Sequence, residues 1–417
     1  MPNIIRNTIQ FCLAFIILGC SEPVDIPDIG APVRSVDLQV GTRYLPLPQN
    51  AFSLPNISQV DLPAVAGSDA IWGATGQDDL GNIYLGFSTH GEGPQTSYLY
   101  QYSPSINMLT KQGNTLDQLH QAGIDKAGLG QNKLHSKFYQ GDDGYLYFSS
   151  FDEQGESERD NPTWGGHLWR KRPDDLSWEH LLAAPEALIA VNTDGRFVYT
   201  LGYWKHMLYQ YDSQTGKIKR AQVGSIDGHI SRNLLVDHFG HVYVPEVSSN
   251  AEQQVSAHLN QYNTRLELVA SYPLPSYQHK NMKAHHGIVA YTSLQNGHIM
   301  FTTSDGGLYR IDPDADGANK VILLGQFHPD GESYAASLFS FSGENFLVGL
   351  ARKPKSKVYD WVIYELSTNT SVSYATTLDV GKYLLYGSSA KDKEGNMYIG
   401  GRQSSPNQKP VLFKVSY

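Results

Sequence analysis

Three side chains of this sequence, His135, Tyr203 and Arg232, together with His229 just ahead of the arginine, are suited to removing a proton from carbon beside a carboxylate. A neutral imidazole is an available base at mild pH. A tyrosine phenol serves as an acid, or as a base where neighbouring cations stabilise its phenolate. An arginine is always charged and grips a carboxylate with two hydrogen bonds. Arg232, with His229 or Lys205 to assist, is the candidate for holding an anion, and Tyr203 and His135 are the candidates for moving a proton. A second set, His90, Lys205, Tyr243, His286, Tyr334, Arg352, Tyr386 and Arg402, supplies aromatic faces for stacking on sugars and cations for binding anionic groups.

The elements that must bring these residues together are announced by a repeat. Seven glycine turns each lead into a short apolar or aromatic run, from Gly81-Asn-Ile-Tyr84 through Gly144, Gly195, Gly240, Gly297 and Gly343 to Gly395-Asn-Met-Tyr398, with a mean period of about 52 residues. Each run is answered by a second one, such as Tyr98-Leu-Tyr-Gln-Tyr102 or Met207-Leu-Tyr-Gln-Tyr-Asp212, and preceded by a third, such as Ile288 to Ser293. Glycine supplies the positive φ of tight hairpin turns, so the runs read as strands, four to a unit if the tail of each unit is also extended. No long stretch carries a helical apolar period. The expectation is an all-β chain: a seven-bladed β-propeller of four-stranded antiparallel blades, with a pair of β-sandwiches as the alternative.

The repeat also serves as a ruler. Counting nine residues back from each turn glycine selects Trp72, His135, Glu186, Ser231, Ile288, Tyr334 and Tyr386, with Arg232 and His286 within two places, where small bulges could carry them to the rim. Counting seven to ten forward selects His90, Tyr203, Lys205, Arg352 and Arg402. In a propeller both sets fall at one end of the axis. A ring of aromatic, imidazole and cationic groups there is costly unless it meets solvent or a partner, and it fits a funnel for an anionic, ring-shaped ligand.

Two segments entering inner strands, Lys133-Leu-His-Ser-Lys137 and Gly228-His-Ile-Ser-Arg232, resemble the corresponding stretches of propeller-type polysaccharide lyases, the group of the ulvan lyases and, more distantly, the oligogalacturonate lyases. The resemblance implies β-elimination on a uronate-containing polysaccharide, with ulvan as the expected substrate. A second histidine usual in such ulvan lyases is replaced here by Ser149-Ser-Phe-Asp152, so that His90, His120 or His167 takes its place or the chemistry has changed. The alternative function is a non-catalytic propeller that captures glycan or scaffolds an envelope complex.

The front of the chain differs from the rest. Residues 1–19, with Arg6, an apolar core from Phe11 to Leu18 and the ending Ile17-Leu-Gly-Cys20, resemble a bacterial lipoprotein signal cleaved before a lipidated Cys20; an ordinary secretory signal is the alternative. Ser21 after the cysteine favours the outer membrane or cell surface by that resemblance, with residues 20–48 as a Pro- and Asp-rich tether and 49–417 as the propeller. Loss of Cys12 with the signal would leave no disulfide. The net charge of −9 over 417 residues, about −10 without Arg6, makes nucleic acid an unsuitable partner, although a local basic funnel can act against the global sign. A monomer is expected. His285-His286, and His238 with His241, lack the spaced carboxylates of a catalytic metal site, so no cofactor is required, while a structural divalent ion is compatible with the sequence.

Overall fold

The computed structural model of the chain describes residues 34–35, 39–40, 54–91, 95–155, 160–203, 205–224, 231–249, 255–275, 277, 287–341, 343–404 and 407–417. They form a seven-bladed β-propeller, each blade a small antiparallel sheet whose strands follow chain order from the axis outwards. The blades span residues 68–114, 133–184, 188–222, 235–273, 288–326, 334–379 and 383–416. Among the described residues the only α-helix is Thr115–Gln121, capped by the Asn114 side chain, which accepts the Asp117 amide. Arg34–Ser35 and Gln39–Val40 lie parallel to the outermost strands of blades 4 and 5.

All seven repeat glycines have positive φ, between 64° and 106°, and turn the innermost strand into the second one. An aspartate three residues earlier locks several of these turns. Asp237 accepts the amides of Phe239 and His241 and the hydroxyl of Tyr243; Asp78 and Asp392 do the same for Tyr84 and Tyr398. The tyrosine three places after Gly81, Gly240 or Gly395 is therefore a structural strut. Its ring fills the space between blades, and its hydroxyl satisfies a carboxylate that would otherwise be buried at a cost. Tyr243, expected to bind substrate, is wholly buried as one of these struts, at 2.9 Å from Asp237 Oδ2, and the carboxylate pushes its hydroxyl pKa further up after burial has raised it.

The innermost strand is broken in blades 1, 2, 6 and 7, for example between Lys133–Leu134 and Tyr139–Gln140, and shifts register near its start in blades 3 and 5. Crowding at the axis accounts for the breaks. A Cβ on Gly76 would sit 2.2 Å from the Phe138 carbonyl oxygen of the next blade. Below the breaks the axis is filled: the Tyr139 and Tyr291 hydroxyls meet across it from blades 2 and 5.

The ring closes by mixing the two ends of the propeller. Asn56–Val60 forms the outermost strand of blade 7, antiparallel to Lys409–Ser416, with Asn56 opposite Ser416 and Val60 opposite Leu412. Val60 is buried in the core between blades, while Ser58 faces solvent. Val60→Asp is expected to destabilise the protein by about 2 kcal/mol or more, because it buries a charge in the closing seam. Ser58→Asp should stay within about 0.5 kcal/mol of wild type in the same urea titration.

Candidate functional site

At the end of the axis where the innermost strands begin, their breaks leave a blind recess lined by Trp72 and Gly73 of blade 1, His135 and Lys137 of blade 2, Arg232 and Asn233 before blade 4, Val289 of blade 5, Tyr334 of blade 6, and Tyr386 and Gly387 of blade 7. It encloses about 360 Å³ between side chains, of which about 30 Å³ admits the centre of a water molecule. That is room for about one ordered water.

The ring is built of cations laid on aromatic faces. Arg402 lies over Trp72 at 5.0 Å from the ring centroid, Arg352 over Tyr334 at 4.8 Å, Arg232 over Tyr203 at 5.9 Å and Lys133 over Trp72 at 5.2 Å. Trp72 in turn packs on Tyr386, 4.9 Å between centroids. Arg232 Nη2 donates to the Tyr203 hydroxyl at 3.4 Å. None of Arg232, Arg352 and Arg402 has a carboxylate partner among the described residues, and the buried Arg402 Nε and Trp72 Nε1 have no hydrogen-bond acceptor there. Burial pushes the Tyr386 hydroxyl up to about 12 and raises that of Tyr334, while the nearby guanidiniums act in the opposite direction. Both phenols are therefore neutral donors at neutral pH.

The rim is electrostatically self-contained by contrast. His90 is half-exposed, 3.0 Å from Asp69 and 2.8 Å from Glu153, and these carboxylates raise its pKa to about 9. Burial would raise the Glu153 carboxyl, but His90 and Lys133 hold it down at about 2. His90 also lines a neighbouring hollow of about 1060 Å³ with Gln59, Asp69 and Lys409, and Lys133 connects it to the axial ring through Trp72.

Of the residues singled out in the sequence, His135, Arg232, Tyr334 and Tyr386 line the recess. Tyr203 joins it through Arg232, Arg352 through Tyr334, and Arg402 through Trp72. His90 stands at the rim, and the Lys205 amide donates to the Tyr203 carbonyl. Tyr243 is in the core, away from this ring. His229, His286 and Cys20 lie outside the described residues. The nine-residue count also selected Glu186, which instead is buried against Gly202 and accepts the Tyr209 hydroxyl at 3.3 Å; burial raises its carboxyl to about 7. At Ser231 and Ile288 the residues one place on, Arg232 and Val289, face the recess. Lys137 was not among the candidates. It lies two places beyond His135, in the break between Lys133–Leu134 and Tyr139–Gln140, where both side chains line the recess. Among the described residues no group of three His, Cys, Asp or Glu side chains could hold a metal ion, and no helix is long and apolar enough to cross a membrane.

The fold is shared with solved structures at low sequence identity. A structure of U3-55K matches with a TM-score of 0.53 at 8% identity, over 86% of this chain and 98% of that one. YCF48 from Cyanidioschyzon merolae matches at 0.47 and 11% identity, over 86% of this chain and 98% of that one. A protein of unknown function from Dyadobacter fermentans DSM 18053 matches at 0.47 and 12%, over 87% and 100%. No protein-family model and no curated protein matches the chain. The likeness to U3-55K bears on the propeller fold alone.

A guanidinium without an anionic partner costs stability, whereas a tyrosine strut provides it. Arg402→Met is expected to leave the urea midpoint unchanged or raised. Tyr243→Phe should lower stability by about 1–3 kcal/mol in the same titration, since Asp237 loses a buried donor.

Proposed function

We propose that the axial recess receives the carboxylate of a uronate-containing polysaccharide, with ulvan the first substrate to test, and that the protein cleaves the chain by β-elimination. The observation that carries this reading is the set of three arginines, each with an aromatic neighbour and none with a carboxylate partner among the described residues, grouped around the recess with His135 and Tyr203. In the reaction the C5–H and C4–O bonds break and a C4=C5 double bond forms, with no water consumed. Arg232 neutralises the carboxylate, which makes C5–H acidic. His135 or Tyr203 takes the proton, and the Tyr203 phenol protonates the oxygen leaving C4.

A second reading is supported by the narrowness of the recess. A space for about one water takes an acidic group rather than a whole sugar, as suits a propeller that captures anionic glycan without cleaving it. Both readings agree with the lipid anchor on Cys20 expected from Ile17-Leu-Gly-Cys20, which would hold the propeller at the cell envelope.

Incubation of the purified propeller with a panel of uronate polysaccharides is expected to give the ultraviolet absorbance of a conjugated unsaturated uronate. Arg232→Ala and Tyr203→Phe should each lower turnover by roughly 100-fold or more with the fold intact. Retained binding with no new absorbance on any substrate rejects the lyase in favour of the glycan-capture reading.

A further inference from the structure

The floor of the recess holds a cation outside the chemistry above. Lys137 is 5% exposed and lines the recess directly. Its ammonium reaches past blade 1 from blade 2 to donate to the Gly387 carbonyl of blade 7, and its Nζ stands 5.2 Å over the Tyr291 ring of blade 5. Gly387 O is its one hydrogen-bond acceptor among the described residues. An ammonium has three N–H groups, so two of them lack a protein acceptor among the described residues, and a buried cation with no anionic partner there is costly.

The groups around it do not supply the missing charge. His135 and Tyr139 come from its own blade, Arg232 from blade 4, Tyr291 from blade 5, Tyr334 from blade 6 and Tyr386 from blade 7, with Arg352 and Arg402 behind the aromatic rings. Among the described residues no carboxylate lines the recess. Burial accordingly lowers the lysine pKa from 10.5 to about 7.

We propose that Lys137 is the innermost anion-binding group of the recess, and that it takes up a proton when a carboxylate enters, so that the site binds its ligand together with a proton. This rests on the reading of the recess as an anion site, but not on cleavage. An incoming carboxylate supplies both the opposite charge and the missing acceptors, and so favours the ammonium over the amine. The coupling makes affinity depend on pH: it is full below about 7, where Lys137 is already charged, and falls up to tenfold per pH unit as pH rises above that value.

The same residue sets a stability dependence of known sign. Its pKa is lower in the folded chain than the ordinary 10.5, so the unfolded chain binds more protons between about 7 and 10.5. The cost of burying Lys137 is thus fully present below pH 7 and is relieved as pH rises through that window. Lys137→Met should therefore unfold at a higher temperature than wild type at pH 6, and the difference should shrink at higher pH.

The test is calorimetric titration of the propeller with D-glucuronate at pH 8 in HEPES and in Tris, whose different ionisation heats report protons exchanged. The expected result is uptake of about one proton per glucuronate bound in wild type, and none in Lys137→Met. A pH titration of the lysine ε-carbon by NMR on the wild-type protein, with and without glucuronate, should show one lysine titrating near 7 and shifting upwards on binding. Glucuronate binding without proton uptake, or uptake that persists in Lys137→Met, overturns the assignment of Lys137 while leaving the anion site standing. Absence of saturable glucuronate binding overturns both. Binding with proton uptake but no unsaturated product from any polysaccharide upholds this inference and rejects the lyase.

Discussion

Closure of the ring is the constraint from which the rest of the structure follows. Seven blades share one axis only if the last is tied to the first. Here the tie is five residue pairs between Asn56–Val60 and the final strand Lys409–Ser416. The seam carries the innermost strand of blade 7 in the same sheet, and with it Tyr386 and Gly387. Gly387 accepts Lys137 from the far side of blade 1, and Tyr386 packs on Trp72. Loosening the seam would therefore be felt first at the recess, whose walls come from six different blades or the segments leading into them.

Within that ring the protein keeps its positive charge against its global sign. The chain has 41 Asp and Glu against 32 Lys and Arg, yet the axial residues include Lys137, Arg232, Arg352 and Arg402. Where ion pairs do form near this end, at His90, Asp69, Glu153 and Lys133, they stand at the rim, and the axial guanidiniums have no carboxylate partner among the described residues. Aromatic faces partly replace the missing carboxylates, since a cation over a ring recovers some of what desolvation takes from it. They do so without neutralising it. A carboxylate at the same place would give a more stable protein and close the site to an anionic ligand, a trade that functional sites often make.

The sequence made the fold legible because the blade turn repeats a glycine of positive φ in all seven blades, joined in three of them by an aspartate that holds the amides and a tyrosine that answers it. The same chemistry misled at Tyr243, whose aromatic type suited a sugar platform but whose place three residues after Gly240 makes it a strut. Counting from the glycines located Trp72, His135, Tyr334 and Tyr386. It slipped by one residue at Ser231 and Ile288 because the innermost strands do not keep an unbroken register near the axis. Lys137 escaped because the count took one residue from each blade, while two side chains of the break between Lys133–Leu134 and Tyr139–Gln140 face the recess. The closing strand was illegible for another reason: Asn56-Ile-Ser-Gln-Val60 has only two apolar residues, and its partner lies at the other end of the chain.

The filled axis bears on how a polymer would have to approach. Tyr139 and Tyr291 meet below Lys137, so the recess is closed at its floor and cannot thread a chain. With room for about one water at its centre, it is too narrow for a pyranose ring. A polysaccharide using it must then lie across the mouth and insert one acidic substituent, with Lys137 beneath that group, Arg232 beside it, and the rings of Trp72, Tyr334 and Tyr386 around it. In this arrangement binding strength comes from the inserted anion and selectivity from what the sugar meets at the rim. An acid group held in this way would be neutralised from below, and the carbon next to it would lie nearest the mouth.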